Sequence, residues 1–68
     1  MHASRPRDWD PTVAQSIIDR RRDEAGAMLP ILHDLQEAFG YVDGDALPLI
    51  ADALNVSRAE VHGVITFY

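Results

Sequence analysis

Met28, Leu32, Leu35 and Phe39 recur at steps of four, three and four residues, and the pattern stops at Gly40. Only an α-helix returns such positions to one side, and a glycine just past the last of them is the usual left-handed exit. Leu29, Ile31 and Ala38 widen the stripe. Pro30 has to lie in the first turn, because deeper in a helix it would remove a hydrogen bond and cost about 3 kcal/mol, so the helix starts near Ala27. Other helices must pack against this one. The 68-residue chain contains no cysteine, which removes disulfides, thiolate zinc sites and cysteine-held clusters as reinforcement. A domain this short buries only about 60% of the surface its unfolded chain exposes.

Three more helices can be read from caps and spacing. Residues 1–9 are polar, carry a proline and show no period, which predicts a flexible lead-in before a single domain over 10–68. Asp10-Pro11 reads as an N-cap followed by proline at the first helical position. Val13, Ala14, Ile17 and Ile18 then share a stripe, Arg20, Arg21 and Arg22 crowd the last turn, and Asp23 to Gly26 break the helix. Trp9, just before the cap, is expected to cover the first turn as a staple against Ala14. Asp43-Gly44-Asp45 predicts a turn that also caps a third helix running to Leu54, with Leu47, Ile50, Ala51 and Leu54 inward and Asn55 suited to a left-handed exit. Ser57-Arg58-Ala59-Glu60 is a capping box opening a fourth helix, along which Val61, Val64, Ile65 and Tyr68 continue one face. The expected fold is therefore all-α, a small orthogonal bundle of four short helices around Ile17, Leu32, Leu35, Phe39, Leu47, Ile50, Leu54, Val61 and Val64. Phe67-Tyr68 end the sequence in mid-pattern, without a C-cap glycine or polar tail, and this predicts a chain cut short of a further domain.

Charge narrows the range of partners. The formal net charge is −5 and the pI about 4.8, whereas phosphate backbones and anionic lipids are recognised through lysine and arginine. No apolar run approaches the roughly 20 residues of a membrane span, and residues 1–8 lack the apolar segment of a signal peptide. The sequence therefore reads as a soluble, cytoplasmic protein whose partner is another protein.

Several motifs suggest chemistry that their surroundings do not support. Ile50 to Val61 resembles the helix-turn-helix of bacterial transcription regulators, but its second helix offers Arg58 as its one arginine, too few for the phosphate contacts that give such modules their affinity. A helix-turn-helix fragment is the alternative reading. His33 and Glu37 on adjacent turns make half of a metal site, and His33 fits a solvated face beside Asp34. Ser57 has no base placed for it and is accounted for by capping. Gly63 within a helix costs about 1 kcal/mol relative to alanine, which hints at close approach by a neighbouring element or at a tolerated flaw. His62 suits a helix interface. Tyr41, Phe67 and Tyr68 are candidates for a contact surface, since aromatic residues dominate interface cores, although core packing serves Tyr41 equally well. Neither a catalytic set nor a metal-ligating set emerges.

Leu29-Pro30-Ile31-Leu32-His33-Asp34-Leu35-Gln36, Phe39-Gly40-Tyr41-Val42, Leu47-Pro48-Leu49-Ile50-Ala51, Leu54-Asn55-Val56-Ser57 and Glu60-Val61-His62-Gly63-Val64-Ile65-Thr66-Phe67-Tyr68 together resemble the amino-terminal region of the complex I 24 kDa subunit family. That family includes the E subunit of bacterial NADH-quinone oxidoreductase, the gamma subunit of NAD-dependent formate dehydrogenases, and related subunits of NAD-linked hydrogenases. The resemblance implies a helical bundle that precedes a thioredoxin-like domain holding a [2Fe-2S] cluster on four cysteines, in a subunit seated against a flavin-bearing, NADH-oxidising partner. It implies no cluster ligand or catalyst within these 68 residues, where no cysteine stands. Partner binding is expected to fall on Tyr41, His62, Gly63, Phe67 and Tyr68. Short spacing and the arginine-rich first helix lean towards the formate dehydrogenase gamma branch.

Overall fold

Among the described residues, four helices are set by their ends. The computed structural model describes residues 8–66 in full and Phe67 as backbone, so the lead-in before Asp8, the side chain of Phe67 and all of Tyr68 lie outside the described residues. Helix α1 covers Pro11–Arg21. Its N-cap Asp10 accepts from the Thr12 N–H at 2.9 Å and the Val13 N–H at 3.4 Å, which satisfies two of the free donors at a helix start. Helix α2 spans Met28–Phe39 and stops at Gly40, whose φ of 83° and N–H bond to the Gln36 carbonyl at 2.7 Å form a left-handed cap. Helix α3 spans Ala46–Leu54 and ends on Asn55 at φ 57°. The Asn55 and Val56 N–H groups both donate to the Ala51 carbonyl, satisfying an acceptor the helix leaves free. Helix α4 covers Arg58–Phe67. The Ser57 Oγ accepts from the Glu60 N–H at 3.1 Å, but among the described residues no return bond from Glu60 completes the box.

The start of α3 differs in detail from the expected cap. Asp45 occupies the cap position yet caps nothing with its side chain. Asp43 does so instead: its Oδ1 accepts from the Asp45 N–H at 2.8 Å, and its carbonyl accepts from the Ala46 N–H at 2.9 Å. This is the local side-chain bond by which aspartate favours turns.

The core joins Ala14, Ile17 and Ile18 of α1, Ile31, Leu32, Leu35 and Phe39 of α2, Ala46, Ile50 and Ala51 of α3, and Val61 of α4, with Ala27 beside them. Helix α1 packs against both α2 and α3, and α4 packs against α3. Leu47, Leu54 and Val64, expected inside, sit half-buried at the margin. Alanines at 14, 46 and 51 are buried with them. Leu29 departs furthest from expectation, being 56% exposed. At about 100° per residue it lies roughly 120° from Leu35 at the centre of the buried face. Trp9 also differs: its ring pairs with Phe39, centroids 5.0 Å apart at 55°, where a large aromatic surface replaces the small contact that Ala14 could offer.

Two arginines close the α1 end. Arg21 Nε donates to Asp34 Oδ2 on α2 at 2.7 Å, and Arg22 donates to the Ala53 carbonyl on α3 at 3.4 Å. The second contact neutralises part of the negative end of α3. Together these bonds tie the first three helices at one corner of the bundle.

Candidate functional site

Helix α4 carries its residues on two distinct faces. Val61 is fully buried against the bundle, with Val64 and Ile65 half-buried on the same side. His62 and Gly63 fall on the opposite, solvent-exposed side, as expected one and two residues after an inward position at about 100° per residue. His62 uses its backbone carbonyl to accept from Thr66 Oγ1 at 2.8 Å. Among the described residues its ring enters no ion pair, so the helix interface expected of it is not formed inside this bundle. The close approach anticipated at Gly63 is not formed there either: a Cβ built on it would meet nothing within 4 Å. The reason is positional, since the side of α4 that carries Gly63 faces away from α3.

Tyr41 is half exposed, and its hydroxyl donates to Asp43 Oδ2 at 3.0 Å. One carboxylate thereby orders two things, the turn into α3 through Oδ1 and the Tyr41 ring through Oδ2. The hydrogen bond to Asp43, with partial desolvation and the negative charge of Asp43, Asp8 and Asp45, holds the Tyr41 proton above its ordinary pKa. Tyr41 also lines a shallow groove with Gln36, Gly40, Val42 and Ile65. The last turns of α2 and α4 are thus brought together around an aromatic ring. Of the five residues expected to bind a partner, Tyr41 lies in this groove, His62 and Gly63 lie on the outer face of α4, and Phe67 and Tyr68 fall outside the described side chains. Ile65 was read from sequence only as part of the α4 face and Asp43 only as a turn residue, neither as a site residue; helical spacing from Val61 locates Ile65, but nothing local marks the second role of Asp43.

The remaining polar clusters are surface ion pairs. Arg21 pairs with Asp34 and, at 3.4 Å, with Glu24, and both contacts raise its pKa, Asp34 more strongly. His33 lies 3.6 Å from Glu37, both well exposed. Among the described residues no group of three His, Cys, Asp or Glu side chains converges to hold a metal, and no helix is long and apolar enough to cross a membrane.

Comparison with known proteins gives these surfaces a context. A family model described as thioredoxin-like [2Fe-2S] ferredoxin matches residues 14–68. The chain is 37% identical over 70 residues to the NADH-quinone oxidoreductase E subunit of Mycobacterium tuberculosis, covering 93% of the chain and 28% of that protein. It is 33% identical over 67 residues to the NADP-reducing hydrogenase subunit HndA of Solidesulfovibrio fructosivorans, covering 98% of the chain and 39% of that protein. The NADH-quinone oxidoreductase E subunit of Aquifex aeolicus is 38% identical over 42 residues, covering 62% of the chain and 26% of that protein. The chain therefore spans well under half the length of these relatives. The donor set here does not fit a [2Fe-2S] cluster, which is held chiefly by thiolates, because the sequence has no cysteine.

Proposed function

Because the chain belongs to the thioredoxin-like [2Fe-2S] ferredoxin family, we propose that it is the helical scaffold of an electron-transfer subunit in an NAD-linked oxidoreductase. Its task in that setting is mechanical. It holds an iron–sulfur domain in place and docks it against a flavin- and NADH-binding subunit, while the cluster itself supplies one-electron redox chemistry from residues outside these 68. The observation that favours this reading most is the combination of a family match over 14–68 with a sequence free of cysteine. A chain of that kind can support a cluster domain but cannot ligate its iron. The relatives' names point to NADH-linked and NADP-linked complexes, and a cytoplasmic location suits such a subunit.

The formate dehydrogenase gamma type is the narrower assignment. It rests on the short spacing and on Arg20, Arg21 and Arg22 in α1. The helix-turn-helix alternative gains nothing from the geometry, since α4 offers Arg58 beside Glu60 on an acidic body and such affinity needs several phosphate contacts.

Co-expression tests the scaffold role. The longer subunit implied by this reading should co-purify with its flavoprotein, and deleting residues 10–68 from it should abolish that association. Retention of the flavoprotein by the deleted form would refute the docking role.

A further inference from the structure

The groove beside Tyr41 has a rim of one sign. Asp43 is bonded to Tyr41 at 3.0 Å, and Asp8 and Asp45 are near enough to act on the same phenol through their charge. None of the ion pairs among the described residues involves Asp8, Asp43 or Asp45. Arg21 and Arg22 lie at the far end of α1, bonded to Asp34, Glu24, Asp19 and the Ala53 carbonyl. Among the described residues, an apolar floor of Tyr41, Val42 and Ile65 thus sits beside carboxylates that no ion pair offsets.

We infer that the groove of Gln36, Gly40, Tyr41, Val42 and Ile65 seats an apolar anchor of the flavin-bearing subunit that is flanked by lysine or arginine. This deepens the proposed function and rests on it. Charge complementarity selects this occupant, since an acidic rim repels a second copy of the same acidic surface and attracts a basic one. The aromatic floor supplies the desolvated contact around which binding energy concentrates.

The test is the affinity of the chain for the purified flavin-bearing subunit, measured by biolayer interferometry at low and high salt. Asp43→Asn with Asp45→Lys removes two of the three rim carboxylates while keeping the side-chain oxygen that orders the turn. Asp23→Asn with Asp52→Lys changes the net charge equally at two exposed sites outside the groove. The rim pair should weaken binding about tenfold, chiefly through slower association, and should flatten the salt dependence. The control pair should change it by about twofold or less. Tyr41→Ala should also weaken binding about tenfold, chiefly through faster dissociation, with helicity by circular dichroism unchanged. Equal effects of the rim and control pairs would overturn the inference while leaving the docking role intact. No binding by the unaltered chain would instead remove the docking role itself. Should the chain alone sediment as a dimer that Tyr41→Ala returns to monomer, a second copy is the occupant and the inference fails.

Discussion

Replacing Trp9 by alanine should lower stability by about 2 kcal/mol. Its ring lies 5.0 Å from that of Phe39 at 55°, and Phe39 is only 3% exposed with that cover in place. A tilted aromatic pair contributes about 0.5–1.5 kcal/mol beyond its buried area. Full burial of a large apolar side chain contributes about 1.5–3 kcal/mol, of which half-buried Trp9 realises about half. A loss of about 2 kcal/mol is a large share of the roughly 3–10 kcal/mol expected for a domain of this size. It corresponds to a fall in Tm of about 8–16 °C. Thermal unfolding followed by far-ultraviolet circular dichroism measures the fall directly. Trp9 is the sole tryptophan, so in the unaltered chain its emission should shift to the red in the same transition. Trp9→Phe should recover most of the loss. A Tm for Trp9→Ala within about 2 °C of the unaltered chain would contradict the packing, because it corresponds to less than about 0.5 kcal/mol.

Gly40→Ala should destabilise the chain by about 1–2 kcal/mol in urea unfolding, since φ at this cap is 83° and a left-handed backbone crowds a Cβ. Gly63→Ala should do the reverse, adding about 0.5–1 kcal/mol by helix propensity at a site where a Cβ meets nothing; a loss of stability in the isolated chain would show that some element does approach. Asp34→Asn removes the Arg21 ion pair, whose side chains are 38% and 21% exposed, and should cost about 1 kcal/mol or less, with a smaller cost at high salt. Tyr41 should deprotonate above the ordinary tyrosine pKa of about 10, because its bond to Asp43 and the nearby carboxylates favour the neutral phenol. The folded chain holds that proton more tightly than the unfolded one, so the contribution is fully present below about pH 10 and is lost as pH rises through the folded value. Ultraviolet titration of a Tyr68→Phe chain isolates Tyr41, and Asp43→Asn should move its pKa down.

Helix ends were the most legible part of this fold. Asp10-Pro11, Gly40, Asn55 and Ser57 act within a few residues of themselves, so their roles can be read from sequence and recur in the structure. Contacts between distant positions were not legible. Arg21 with Asp34, Arg22 with the Ala53 carbonyl and Trp9 with Phe39 join positions 13, 31 and 30 residues apart, and nothing near any of them signals its partner. Leu29 shows the limit of pattern reading, since an apolar residue in the first turn of an amphipathic helix need not face inward. At the surface, helical spacing placed Val61, Val64 and Ile65 inward. It equally places His62 and Gly63 outward, where both are exposed in the structure. Asp43 was read as a turn residue, and its hold on Tyr41 became visible only once the ring was placed.

A binding isotherm between the 68-residue chain and the flavin- and NADH-binding subunit tests the scaffold role most directly. Saturable one-to-one binding that survives with no iron or sulfide present is the outcome expected of a scaffold that docks without a cluster of its own. Binding by the longer subunit with none by this chain would place the docking surface elsewhere and contradict it.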